Sequence, residues 1–236
     1  MFPDAQLMKD SARRYVQSMQ PPHSVGIGSD DCTEARSYNC VLGQSVPELI
    51  EGLLVRKEQV RLLDIGSGNG QALADIASRF ADHPKRDALT LRGIDLEPYP
   101  DTICSNVFSH HPKTGNRYDL VMSAFCAQYI PEKLELVEFV HNHLLKMGGI
   151  GLIHLPDELV VCQEDVLRSQ KPGLEYFLSL AGGSVSFHSN GKGQQVIRME
   201  RKPGVVLHLP LTFKSTYPVP GVPSTALMSV YERDRK

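Results

Sequence analysis

The chain has 236 residues, 41% of them apolar and 22% charged, with a formal net charge of −2 and no tryptophan. That length and balance fit one globular domain with a full core, and they give no electrostatic footprint for nucleic acid. The five cysteines, Cys32, Cys40, Cys104, Cys126 and Cys162, are odd in number and contain no C-x-x-C, which favours reduced thiols over a disulfide framework or a zinc site.

Residues 1–6 carry no basic segment leading into an apolar one, and no later run is long enough to span a bilayer, so a cytoplasmic chain is expected. Residues 4–19 read as an amphipathic helix with Leu7, Met8, Ala12, Tyr15 and Met19 on one face, ended by Pro21-Pro22. Residues 20–44 are irregular and rich in Gly, Ser and Asp. Ser45-Val46-Pro47-Glu48 has the capping-box pattern. Val46, Leu49, Ile50, Leu53 and Leu54 then keep the spacing of a helix with one buried face. An apolar run, Val60 to Ile65, breaks into Gly66, Gly68 and Gly70, and Gln71 to Phe80 resumes at helical spacing. Strand, tight turn and helix start in that order let backbone N–H groups approach a ligand closely. A dinucleotide site needs G-x-G-x-x-G. Here the third glycine comes one residue early and Gln71 holds the sixth position, which opposes a nicotinamide-dependent oxidoreductase.

Thr90 to Pro98 reads as a short strand ending in Asp95 and Glu97. Residues 98–117 include Pro98, Pro100 and Pro112, so the helix a parallel crossover would use is expected to be missing or reduced to a turn. Residues 102–107 then form a third strand. His110-His111 lack acidic or cysteine partners at ligand spacing and read as an exposed loop pair. Tyr118 to Phe125 is a strand ending in small residues, and Cys126 reads as a small buried thiol. Residues 132–146 follow as a helix with Leu136, Val137, Val140 and Leu144 inward, closed by Gly148-Gly149. Ile150 to Pro156 is the fifth strand. Residues 158–181 read as a helix, and 184–189 and 195–199 as a hairpin turning through Asn190-Gly191-Lys192-Gly193. Two final strands are expected at 205–209 and 226–231, with Pro218, Pro220 and Pro223 in the loop between. Lys192, Arg198, Arg201 and Lys202 are interrupted by Glu200 and read as a solvated strand face.

Three features together carry a resemblance: D-x-G-x-G-x-G at Asp64 to Gly70, the acid Asp95 some thirty residues later, and the stretch from Tyr118 to Pro156. In combination they resemble the class I S-adenosylmethionine-dependent methyltransferases, over residues 45–156. The resemblance implies an α/β fold: a doubly wound Rossmann-like sheet of about seven strands, the last one antiparallel, with an N-terminal helical cap. It divides the chain into 1–44, a helix and a lid over the cofactor or substrate, and 45–236, the core with an extra hairpin near 184–199. Tyr38 and Asn39 are placed to fold over the cofactor; the alternative for this segment is a surface loop.

The resemblance further implies that S-adenosylmethionine is held by Asp64, Gly66, Ser67, Gly68 and Gly70 of the turn. Asp95, or else Glu97, takes the ribose hydroxyls beside Leu96. The family's adenine-contacting acid is absent, and Asn106, next to Val107, is its nearest polar stand-in. Ser123, Ala124 and Phe125 complete the cofactor side, while Phe125, Gln128 and Tyr129 fall where the methyl group is delivered. Tyr129, His154 and Asp157 are candidate catalytic groups, with His188 a further possible general base. No metal is implied. There is no N-P-P-[YF], and Cys126 lacks the preceding proline of the cytosine-C5 enzymes. The expected function is methyl transfer to oxygen or nitrogen of a small-molecule acceptor, with no nucleic acid or membrane partner and the oligomeric state open. The alternatives are a protein or RNA methyltransferase and a catalytically silent S-adenosylmethionine-binding protein.

Overall fold

The computed structural model describes residues 26–28, 37–97, 99, 102–155, 160–162, 185–189, 195–209, 211–218 and 227–233. Strand β1 (Val60–Ile65) is buried along its length except at Arg61. Its side chains alternate between two apolar clusters, Val60 and Leu62 in one and Leu63 and Ile65 in the other, as the two-residue period of a strand with both faces covered requires. On one side it pairs in parallel with β2 (Leu89–Asp95), and on the other with β4 (Tyr118–Ser123). β3 (Thr102–Cys104) extends the β2 edge, and β5 (Leu145–His154) lies parallel to β4. A hairpin of β7 (Val185–Ser189) and β8 (Gln195–Glu200) completes the sheet, β8 running antiparallel to β5. The order is β3-β2-β1-β4-β5-β8-β7. It reverses between β1 and β4, so the loops leaving these two strands diverge and open a crevice at their carboxyl ends.

Helix α1 (Tyr38–Leu42), α2 (Val46–Arg56) and α3 (Gln71–Arg79) cover one face through Val41, Ile50, Leu53 and Ile76. Helix α4 (Lys133–Phe139) covers the other through Leu134, Leu136 and Val137. The Ser45 hydroxyl accepts from the Glu48 N–H at 3.3 Å, so the capping pattern starts α2 as its residues dictate. No helix among the described residues is long and apolar enough to cross a membrane.

Several expectations are corrected. The helix expected over 132–146 stops at Phe139, continues as a wider π turn over Val140–Leu144, and gives way to β5 already at Leu145. The fully buried Leu145 pairs with Tyr118, and rather than capping a helix Gly148 donates its N–H to the Arg201 carbonyl while the Gly149 carbonyl accepts the Arg201 N–H. Residues 205–209 form no strand. There the Asn142 side chain takes the place of a neighbouring strand, donating to the Leu207 carbonyl at 2.7 Å and accepting its N–H at 2.9 Å. Strand β9 (Leu211–Pro218) follows, so Pro218 ends a strand instead of sitting in the loop. β9 joins β6 (Val160–Cys162) and β10 (Leu227–Arg233) in a separate three-stranded sheet, order β6-β10-β9. The antiparallel position of the main sheet therefore belongs to the hairpin, and part of the 158–181 helix is strand. The helix at 4–19 and the remainder of 163–181 lie outside the described residues, as does most of 20–36.

The β2–β3 connection is only six residues long. A parallel pair normally needs a crossover of a dozen or more. The short path suffices because β3 pairs only with the last three residues of β2, Gly93 to Asp95. As expected from its prolines, none of the described residues of this connection is helical.

At the opposite end of the sheet, Asp119 joins three elements. It accepts from Lys57 Nζ at 2.7 Å, Lys146 Nζ at 2.8 Å and the Arg61 N–H at 2.9 Å. Burial alone would raise this carboxyl, but the bonds from Lys146, Lys57 and Arg61 outweigh it and hold its pKa below the usual value. The folded state therefore gains stability above the unfolded-state pKa near 4, and loses it as pH falls through the depressed folded value. Asp119→Ala is expected to cost about 2–3 kcal/mol at neutral pH. Urea denaturation at several pH values checks this: the gap between wild type and variant closes on acidification.

Candidate active site

The turn after β1 is held across the tip of β2. The Gly66 N–H donates to the Ile94 carbonyl at 2.8 Å and the Ser67 N–H to the same oxygen at 3.3 Å. Gly66, Gly68 and Gly70 have φ of +74°, +53° and +79°, the left-handed region that side chains avoid. The chain thus rises past β2 and enters α3 at Gln71. Behind the turn, a Cβ on Gly66 would lie 2.4 Å from both Cβ and Sγ of Cys126. In front of it, a Cβ on Gly68 would meet no atom within 4 Å.

Asp95 ends β2 facing this turn. Its carboxylate accepts from the Gly68 N–H at 2.9 Å and from the Glu97 N–H at 3.1 Å. Each carboxylate oxygen keeps a further lone-pair site for a ligand hydroxyl. The cavity opening here is lined by Gly66, Gly68, Asp95, Leu96, Val107, Phe125 and Tyr129, all singled out from the sequence. It is also lined by Ile65, Ile94, Glu97, Tyr99, Ser105, Cys126 and Ile130. Of these, only Glu97 had a site role in the sequence reading. Tyr99 lies in the short β2–β3 connection, and Ser105, just after β3, is held at the strand end by its N–H to the Asp95 carbonyl at 2.9 Å, which no motif spacing announces.

The remaining expected residues lie elsewhere. Asp64 is fully buried beneath the turn, where its carboxylate accepts from the Tyr38 hydroxyl at 3.2 and 3.0 Å. Burial pushes the Asp64 carboxyl well above the usual range, the Tyr38 bond opposing and the Asp95 charge adding. Tyr38 and Asn39 are core residues, 3% and 0% exposed, rather than part of a lid surface over the cavity. Gly70 and Ser67 shape the turn without lining the cavity, and the Ser67 and Thr102 hydroxyls meet at 3.5 Å. Asn106 caps the short turn that follows it, accepting from the Phe108 N–H at 3.0 Å, and its neighbour Ser105 faces the cavity instead. Ser123 and Ala124 are buried behind the wall. Asp157 and the His188 side chain lie outside the described residues.

On the side away from Asp95 the wall is apolar. Phe125 has φ +58°, a backbone conformation that costs a non-glycine residue about 1–2 kcal/mol. Its ring meets that of His154 edge to face at 5.6 Å between centroids. His154 is 3% exposed and stands outside the cavity lining. Among the described residues neither of its ring nitrogens has a hydrogen-bond partner. Burial pushes it down to about 4, so it is neutral at physiological pH. Burial likewise pushes the Cys126 thiol up, the charges of Asp95 and Asp64 adding, so it stays protonated. The Tyr129 hydroxyl accepts from Gln128 Nε2.

No protein-family model and no curated protein matches this chain. Solved structures do. The DszA carbon methyltransferase aligns over 85% of this chain and 66% of its own, with a TM-score of 0.50 and 15% identity. The CMeT domain of the citrinin polyketide synthase aligns over 68% of this chain and 52% of its own, at a TM-score of 0.48 and 14% identity. A putative ribosomal RNA methyltransferase from Plasmodium falciparum aligns over 72% and 100%, at 0.43 and 16%. The chain spans about half to two thirds of the length of the first two. The chain has a Rossmann-like methyltransferase fold, a seven-stranded sheet in which β8 runs antiparallel to β5.

Proposed function

We propose that the protein transfers a methyl group from S-adenosylmethionine to a small-molecule acceptor. The observation that carries this reading is the bond from the Gly68 N–H to Asp95, which sets a carboxylate at the mouth of a cavity whose glycine wall is open to a ligand. Asp95 would hold the ribose hydroxyls, Gly66 and Gly68 would admit the amino-acid end past a bare backbone, and Leu96 and Val107 would flank the base, with Ser105 its polar contact. Asp64, Ser67 and Gly70 support the turn from behind. When bound, the cofactor supplies an electrophilic methyl group on a sulfonium.

The protein's own task is alignment. Positioning of this kind lowers a barrier by about 7–11 kcal/mol. Phe125, Tyr129 and Ile130 form the apolar wall that excludes water and orients the acceptor. Tyr129 is the polar group of that wall, and the neutral His154 packs behind Phe125. The net charge of −2 and the interrupted basic cluster favour a small acceptor over a polyanion. That DszA is a carbon methyltransferase adds carbon to oxygen and nitrogen as acceptor atoms.

Isothermal titration tests the cofactor. S-adenosylmethionine and its demethylated product are expected to bind, and binding of NAD in their place overturns the reading. Asp95→Ala is expected to weaken binding by about 2–4 kcal/mol, about 30- to 1,000-fold, and Glu97→Ala much less. The reverse ranking would put the ribose on Glu97. With methyl-labelled cofactor and a fractionated cell extract, label is expected in the small-molecule fraction; label in protein or RNA alone overturns the acceptor class.

The two sides of the glycine turn separate folding from binding. Gly66→Ala collides with Cys126 and is expected to cost about 2–3 kcal/mol of stability. Gly68→Val meets open space and so carries only the strain of a side chain at φ +53°, about 2 kcal/mol, while abolishing cofactor binding. Thermal unfolding and titration of both variants check the pair.

A further inference from the structure

Behind the apolar wall lie a buried lysine and a half-buried glutamate that the chemistry above does not use. Lys133, the first residue of α4, is 0% exposed. Its ammonium turns back to donate to the Ile130 carbonyl at 2.7 Å and to Ser229 Oγ of β10 at 3.1 Å. Ile130 lines the cavity, as does Cys126, whose thiol feels the Lys133 charge. The neighbouring Glu132 has a buried Oε2 with no hydrogen-bond partner among the described residues. A cation therefore sits directly behind Ile130 of the wall, beside a carboxyl with one unpartnered oxygen.

We propose that Lys133 and Glu132 form a pH-dependent charge that sets the preference of the site for the sulfonium form of the cofactor over the thioether product. The proposal rests on the methyltransferase reading. The two ligands differ by one positive charge at sulfur, and a buried charge nearby acts on one of them alone. Low dielectric and poor screening make such action strong at short range.

Burial pushes Lys133 down to about 7, the Glu132 charge opposing. Burial pushes Glu132 up to about 7, Glu135 adding. On the acid side of neutrality both are protonated and the pair is positive, repelling the sulfonium. On the alkaline side both are deprotonated and the pair is negative, attracting it. The two titrations act in the same direction.

The other groups around the pair are accounted for. Burial raises Glu135, which accepts from the Tyr231 hydroxyl at 2.7 Å, and it raises Tyr231 well above its usual range. Cys126 stays protonated. Asp64, beneath the glycine turn, also has a raised carboxyl, and its ionisation would favour the sulfonium as well. Variants separate it from the pair. The sulfonium lowers the pKa of the α-ammonium of its own ligand, so the two ligands' amino groups titrate differently; that contribution is the same in wild type and variants and is removed by comparing them.

The test is titration of wild-type protein with S-adenosylmethionine and with S-adenosylhomocysteine from about pH 6 to about pH 8. The affinity ratio is expected to move about tenfold towards S-adenosylmethionine over that range. Lys133→Met, which keeps length and burial, and Glu132→Gln should each reduce the swing, and the double variant should flatten it. Should Lys133→Met fail to fold, Ser229→Ala removes one acceptor of the ammonium and should shift the change to lower pH. A ratio that does not vary with pH, or a swing that persists in the double variant and so belongs to Asp64, overturns this proposal alone. Failure of wild type to bind either ligand overturns the methyltransferase reading with it.

Discussion

One backbone N–H organises the crevice. The bond from Gly68 to Asp95 spans 27 residues of sequence and fixes the end of β2 against the turn that leaves β1. It holds only because the turn can adopt left-handed backbone at three alternate positions, so that successive N–H groups face β2 and its carboxylate. Cys126 then fills the space directly behind Gly66, linking the turn to the loop leaving β4. Both strands at the topological switch are joined through that single layer of contacts, and the cavity is the gap left in front of it.

The features that were legible in the sequence are those whose cause is local. The glycine turn follows from spacing alone, because a φ near +60° at alternate positions excludes other residues. Asp95 follows from the end of a short apolar run, and α2 from its cap and its period. The hairpin over 184–199 was visible too, but its place was not. A strand pair has the same alternation whether it closes the main sheet or stands apart, and only tertiary packing put β8 beside β5 and sent β10 to a second sheet.

The unread part of the site depends on partners distant in sequence. Asn106 stands where a base contact would be expected, yet its amide is consumed by the turn that follows it. Tyr38 looks like a lid residue and is instead the hydroxyl that satisfies the buried Asp64. Lys133 is the clearest case. A lysine in the first turn of a helix reads as a solvated side chain, and helix dipoles disfavour a cation there. Its burial depends on Ser229, 96 residues away, and no window of local sequence contains that information.

The small sheet has a consequence for how the molecule is made. Every strand of the main sheet lies before residue 201, so the glycine turn and Asp95 are joined by contacts closer in sequence than those of the small sheet. β10 comes at residues 227–233, and its bonds to the start of α4 are among the longest loops the chain closes. Until they close, Lys133 is an ordinary solvated cation. The electrostatics of the rear wall therefore depend on closing a loop of 96 residues, whereas the cradle for the ligand depends on one of 27.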